Sequence, residues 1–242
     1  MRMHMAELPK REPVTLEFPS TERRLKLPQA RRRARLIETA RLLANEGGYE
    51  AVTIDAVCRR AGVARGTVYH YFSSKDHLLI EVNIQWAEEC CAELRRKPPA
   101  GATLLDRIVE TFRRVVDGVL REPKFFRAAF QALCSPDPAV TQMQGRLVAI
   151  TAEYLEAALE FAPEINPAPL CMVLGHVFFS SLVAMVVGRV TPEMLMEDLT
   201  VAATMALESS AVCGQRSDEG REKEARQSGG VRTCRVQRIA RR

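Results

Sequence analysis

The sequence predicts an all-α protein of nine helices, three in a small head and six in a larger body. Three observations predict it. Apolar residues recur three and four apart along most of the chain, the spacing of one helix face. Capping residues, glycines and prolines punctuate the ends of those periodic stretches. No stretch alternates apolar with polar residues, and no hairpin turn signal occurs. A length of 242 residues allows one small domain beside a larger one.

Residues 1–28 carry Pro9, Pro13, Pro19 and Pro28 among charges and show no period, so a disordered N-terminal extension is expected there. The head is expected over residues 29–75. Its first helix opens just after Pro28 and presents Leu36, Ile37, Ala40, Leu43 and Ala44 on one face. It stops at Gly47-Gly48, where a left-handed C-cap is natural. Thr53 suits the N-cap of a short second helix, whose Ile54, Val57, Cys58 and Ala61 share a face before Gly62 breaks it. A third helix is expected from about Ala64 to Phe72. Ser73-Ser74-Lys75-Asp76 matches a capping box that opens a fourth, longer helix.

The body is expected over residues 76–208. Thr103 and Asp106 form a second capping box, and the helix they open must end before Pro123. Lys124–Cys134 is a short helix and Ser135-Pro136-Asp137-Pro138 a loop. Residues 139–161 form a helix stopped by Pro163. Asn166-Pro167 caps the next, which continues to about Gly188. Thr191-Pro192 supplies an N-cap and a first-turn proline for the last helix, which runs to about Glu208. Residues 209–242 are polar and end on Arg235, Arg238, Arg241 and Arg242, a basic disordered tail.

Charge is distributed unevenly. Residues 1–75 carry +7, residues 76–208 carry −7 and residues 209–242 carry +5, within a net charge of +5. A basic head on an acidic body suits a partner that is a polyanion. The seven cysteines include no Cys-x-x-Cys pair, and no histidine stands at zinc-ligand spacing from any of them, which speaks against a metal site or a disulfide framework. No cofactor is expected, and reduced thiols suit a cytoplasmic location. The N-terminus has no apolar signal core. Leu170–Val187 is long and apolar enough to consider as a membrane span, but it stands alone and includes Gly175, His176, Ser180 and Ser181. A buried helix is the preferred reading, with no membrane partner.

Two short helices joined by a glycine turn, behind a supporting helix, make a helix-turn-helix over residues 53–72. Such a motif must pack its second helix through one face and offer the other to the major groove of double-stranded DNA. Val68 and Phe72, four apart, can do the packing. Arg65, Thr67, Tyr69, His70 and Tyr71 then point outward, and Gly66 lets the start of the helix approach a phosphate closely. Arg65 is the best base reader, because its fork matches O6 and N7 of guanine. Thr67 and Tyr69 suit phosphate. Lys75, at the start of the fourth helix, and Thr53, at the start of the second, can hold phosphate with the free N–H groups there. Arg31-Arg32-Arg33 lies near the groove edge and can reach phosphate or the minor groove, or serve as a solvated arm that adds only nonspecific attraction.

The run Gly62-Val63-Ala64-Arg65-Gly66-Thr67-Val68-Tyr69-His70-Tyr71-Phe72-Ser73-Ser74-Lys75-Asp76 closely resembles the signature of the TetR family of bacterial repressors. Gly47-Gly48-Tyr49-Glu50 and Thr53 fall where that family has them. The resemblance implies a nine-helix fold that dimerises through its last two helices and holds an effector inside its body. It also implies DNA contacts at Arg65, Gly66, Thr67, Tyr69, His70, Tyr71 and Lys75. Residues 171–207, with His176-Val177-Phe178-Phe179-Ser180-Ser181-Leu182, are similar to the KstR-like branch. That likeness implies control of lipid or sterol breakdown and a CoA-linked or apolar effector.

An effector pocket in the body is expected to draw on Trp86, Phe112, Val116, Phe126, Phe130, Tyr154, Met172, His176 and Phe179, apolar groups with a few polar ones. Each of these equally suits a core position. The helices at about 167–188 and 192–208 are apolar around most of their circumference, with Met194, Leu195, Leu199, Val201 and Met205 in the second. Such helices need a partner, and a four-helix homodimer interface supplies one. A dimer that binds a near-palindromic operator and is released by a small molecule is the function this predicts. An activator, or a regulator that ignores ligands, fits the same residues. A catalytic body is disfavoured, because no nucleophile elbow, phosphate loop or metal cluster is present.

Overall fold

In a computed structural model, the structure describes residues 27–159 and 167–209. Among the described residues there are nine helices and no strand. They are α1 (Leu27–Ala51), α2 (Ile54–Ala61), α3 (Arg65–Tyr71), α4 (Lys75–Arg96), α5 (Leu104–Arg121), α6 (Pro123–Leu133), α7 (Pro138–Leu159), α8 (Pro167–Val186) and α9 (192–209). The expected N-terminal extension up to residue 26, the helix stop around Phe161 and Pro163, and the basic tail from residue 210 lie outside the described residues.

The helix boundaries follow from local chemistry. Gly48 adopts φ 68° and ψ −157°, which interrupts α1 near its end. Gly62 takes the left-handed conformation at the end of α2 and donates its N–H to the Cys58 carbonyl. At the start of α5 the capping box closes reciprocally. Thr103 N donates to Asp106 Oδ2 at 2.9 Å, and Asp106 N donates to Thr103 Oγ1 at 3.1 Å. Thr191 caps α9 by accepting from Met194 N at 3.3 Å.

The capping box expected at Ser73–Asp76 is displaced by one residue. Ser74 is the N-cap, and its Oγ accepts from His77 N at 3.1 Å. His77 then reaches back, its Nδ1 accepting from Ser73 N at 3.1 Å. Asp76 instead accepts the Tyr49 hydroxyl through Oδ1 at 2.7 Å.

The chain divides into two compact units, each built around its own core. The first comprises residues 27–89 and 122–150. There α1 packs on α6 and α2, and α2 packs on α3. Its core includes Leu36, Ile37, Val57, Phe72, Leu78, Ile80, Phe125 and Phe126, all nearly inaccessible. Trp86 meets Phe126 edge to face, centroids 4.6 Å apart. The second comprises residues 90–121, 151–159 and 167–209. Its core includes Ile108, Phe112, Val115, Leu155, Leu170, Leu174, Leu195 and Leu199, with Phe112 and Phe178 4.6 Å apart between centroids.

Two ion-pair networks bind the elements of the first unit. Arg41 of α1 donates to Glu122 through Nε at 2.9 Å and Nη2 at 2.5 Å, and to Glu89 through Nη1 at 2.9 Å. Asn45 adds a bond to Glu122 at 2.6 Å. Arg33 reaches the buried Glu81 of α4 at 2.5 Å, with His77 alongside. Burial alone pushes both the Glu81 and Glu122 carboxyls up. The hydrogen bonds and charges of their partners outweigh burial, so both lie below their ordinary value of 4.5.

A depressed carboxyl stabilises the fold above its unfolded pKa and loses that contribution as pH falls through the folded one. Thermal unfolding followed by circular dichroism should therefore give a Tm nearly constant from about pH 7 to 5 and falling below about 4.5. Glu122→Gln should flatten that acid limb and lower the neutral plateau. An unchanged acid limb would remove Glu122 from this role.

Candidate nucleic-acid interface

The interface is built on α2 and α3. Thr53 sits in extended geometry ahead of α2, and its Oγ1 accepts from Ala56 N at 3.1 Å. Val57, Cys58 and Ala61 bury one face of α2. The left-handed Gly62 turns the chain, and α3 follows. Val68 is the buried residue of α3, and Phe72, next after it, is also buried. With that face fixed inward, helical spacing puts Arg65, Gly66, Tyr69 and His70 outside, with Thr67 and Tyr71 half-buried at the flanks. Those are the residues the sequence singled out as an outward face.

Several of these side chains have partners within the head. Arg65 Nη1 lies 3.4 Å from Asp55 Oδ1 of α2. A hydrogen bond with Tyr69, then the Asp55 charge, raises its pKa above the ordinary range. His70 and Tyr71 meet edge to face, centroids 5.0 Å apart. Lys75 Nζ stands over the Tyr49 ring, 3.5 Å from its centroid, so the first residue of α4 carries a charge steadied by the end of α1. Burial, followed by the hydrogen bond to Asp76, pushes the Tyr49 phenol up to about 12. Gly66 has open space where a Cβ would stand, with no atom within 4 Å.

The arginine run resolves into different roles. Arg31 and Arg32 are exposed, whereas Arg33 turns inward to Glu81 and lies 5.5 Å over the Phe72 ring. Arg33 is therefore a structural residue and not part of a solvated arm. Its spacing of three, four and seven from Leu36, Ile37 and Ala40 places it on their face, a signal present in the sequence. Arg32 and Gln29 of α1 line a cleft of about 290 Å³ with Gly66, Thr67, His70 and Tyr71. Gln29 was not anticipated from sequence. A second cleft, about 540 Å³, lies between the kinked end of α1 at Gly47–Glu50 and Pro123, Lys124, Arg127, Ala128 and Gln131 of α6, and it too was unanticipated.

The residues expected to line an effector pocket are distributed over both units. Trp86 and Phe126 are buried and Phe130 is half-buried in the first; Phe112, Val116 and Tyr154 are buried in the second. Burial pushes the Tyr154 phenol well up. Met172, His176 and Phe179 depart from the expectation. α8 turns Leu170, Leu174, Phe178 and Leu182 into the core, so the opposite face carries Met172 and Phe179, 56% and 48% exposed, with His176 between them. The His176 ring is engaged within its own helix, Nδ1 donating to the Met172 carbonyl at 2.6 Å. These three residues belong to an outer face of α8.

Known proteins agree with this reading of the head. Residues 36–82 match the family model described as bacterial regulatory proteins of the tetR family, and residues 101–205 match a tetracyclin repressor-like C-terminal domain. The transcriptional repressor KstR of Rhodococcus jostii is 32% identical over 164 residues, spanning 66% of this chain and 76% of that protein. KstR of Mycobacterium tuberculosis is 28% identical over 180 residues, 74% of this chain and 82% of that protein. Among solved structures, a TetR regulator from Rhodococcus sp. RHA1 superposes with TM-score 0.64 at 26% identity, covering 74% of this chain and 96% of the other. Thermus thermophilus FadR, solved in complex with lauroyl-CoA, shares the fold with TM-score 0.59 at 23% identity, covering 73% of this chain and 93% of the other. With a helix-turn-helix at residues 53–72 and a family C-terminal domain behind it, the chain belongs to the TetR family and is a TetR-type transcriptional repressor.

Proposed function

We propose that the protein works in the cytoplasm as a homodimer, binds a near-palindromic operator through α3 of each protomer, and releases it when an apolar or CoA-linked effector binds the C-terminal domain. The observation that carries the DNA part is α3 itself. Val68 and Phe72 are buried behind it, while Arg65, Gly66, Tyr69 and His70 face outward with no Cβ at position 66. Arg65 reads a guanine; Thr67, Tyr69, Tyr71 and Lys75 hold phosphates on either side, with Arg32 beside them. Thr53, whose Oγ1 already caps α2, has its hydroxyl hydrogen left to donate to a phosphate.

The dimer reading rests on apolar residues left in solvent. Met172, Val173, Phe179 and Val187 near or on α8, and Met194, Val201 and Met205 on α9, are between 41% and 64% exposed. Monomeric proteins seldom leave so many apolar side chains uncovered together on adjoining chain segments. The effector reading draws on the KstR relatives and on the lauroyl-CoA held by FadR. Release needs only that the ligand favour a body conformation that holds the two heads at the wrong separation.

A footprint of the purified protein on its own upstream DNA, with and without lauroyl-CoA, tests both parts. A protected near-palindrome is expected, and the acyl-CoA should abolish protection while the protein stays dimeric. Protection that no lipophilic or CoA-linked compound alters would overturn the effector reading alone. Arg65→Ala should cost about 1–3 kcal/mol at one base pair per half-site and relax specificity there. Lys75→Ala should weaken all sequences about equally and reduce the salt slope by about one per half-site. Identical behaviour of the two variants would refute this division of labour.

A further inference from the structure

The corner between α3 and α4 is held from outside the helix-turn-helix. Asp137, at the N-cap of α7, accepts three hydrogen bonds. Its Oδ1 takes Ala139 N at 2.9 Å, capping α7. Its Oδ2 takes the Ser73 hydroxyl at 2.7 Å and the Ser74 hydroxyl at 2.5 Å, across more than sixty residues of sequence. Hydrogen bonds to an ionised carboxylate are the strong kind. The Ser74 and then the Ser73 hydroxyl hold the Asp137 carboxyl below the usual carboxylate range.

Both serines are already committed to the corner. Ser74 caps α4 through His77 N, and Ser73 gives its N–H to His77 Nδ1 with its Oγ 3.1 Å from the same nitrogen. The four groups form a closed set around the residues that separate Tyr71 of the recognition helix from Lys75. A seven-residue helix has too few internal hydrogen bonds to fix its own direction. What fixes it is packing through Val68 and Phe72 and the anchoring of its ends. At the N-terminal end the anchor is the Gly62 turn. At the C-terminal end it is this latch.

We propose that Asp137 is a positioning residue for DNA binding, which by clamping the Ser73 and Ser74 hydroxyls sets the direction of α3 and the place of Lys75. Asp137 touches no DNA and acts through the corner. α7 runs from Pro138, next to the latch, to Leu159.

The test is a double-mutant cycle on operator affinity, using the full chain and its upstream DNA. Asp137→Ser keeps an N-cap for α7 but lacks the second oxygen; Ser73→Ala removes one of the two hydroxyls without touching the α4 cap. Asp137→Ser should weaken binding about tenfold and Ser73→Ala about threefold, and the double variant should be no weaker than Asp137→Ser alone. Amide exchange at residues 72–78 of the unbound protein should quicken in Asp137→Ser, while Tm moves by less than about 2 °C. Affinity within twofold of the parent, effects that simply multiply, or a loss of binding that follows a general fall in Tm would each overturn the proposal. If Asp137→Ser does not fold, the same exchange and affinity measurements on Ser73→Ala decide the matter on the same criteria.

Discussion

Phe179→Glu, or Val201→Glu, should yield a folded monomer that binds its operator more than about 100-fold more weakly than the parent. Both positions are on the solvent side of their helices, 48% and 59% exposed, so a carboxylate there costs the isolated chain little. In a two-fold dimer each substitution enters the contact twice. Carboxylates pressed into an apolar interface without partners cost several kcal/mol, and about 1.4 kcal/mol is a factor of ten. A monomer also loses the second half-site. Sedimentation and a gel shift at matched concentration read the two effects separately. Variants that remain dimeric with an undiminished footprint would place the dimer contact elsewhere. The same experiment bears on membranes, since Ala168–Val186 has the length and hydropathy of a span. A variant that stays in solution without detergent while losing its dimer removes that reading.

Gly66→Ala should separate stability from DNA binding in opposite directions. In the free protein a Cβ at position 66 meets no atom within 4 Å, and Gly66 lies within a helix. Alanine there should stabilise the fold by about 0.5–1 kcal/mol, because it restricts the unfolded chain and favours the helix. In the DNA complex proposed above, the same methyl would stand where the backbone of α3 comes against a phosphate; Gly66 shares its cleft with Arg32 and Thr67. Operator affinity should fall at least about tenfold, and Gly66→Leu should lose more. A thermal melt and a titration of labelled operator make the comparison. An alanine variant that binds as tightly as the parent would show that α3 does not approach the backbone at its first turn.

Much of the fold is legible because the signals that end and start helices act over three or four residues. Thr53, Gly62, Thr103 with Asp106, and Thr191 each do in the structure what their neighbours in sequence imply. The outward face of α3 is legible for the same reason. Once Val68 and Phe72 are assigned to the core, the helical period places the rest. The one-residue shift at Ser74 shows where such reasoning stops. Asp76 had the right spacing to close a capping box, but in the fold its Oδ1 accepts from Tyr49, 27 residues earlier.

What the sequence by itself determined is the all-helical architecture, the helix-turn-helix and the side chains on its outward face, because caps and periodicity are short-range. Only the tertiary structure decided that Arg33 meets Glu81, which face of the largely apolar α8 meets the core, and that Asp137 clamps the recognition corner. Each of these depends on a partner dozens of residues away, or on a choice among faces that look alike in composition. An apolar helix states that it must be covered; the packing of the rest of its own chain decides which side is left for another.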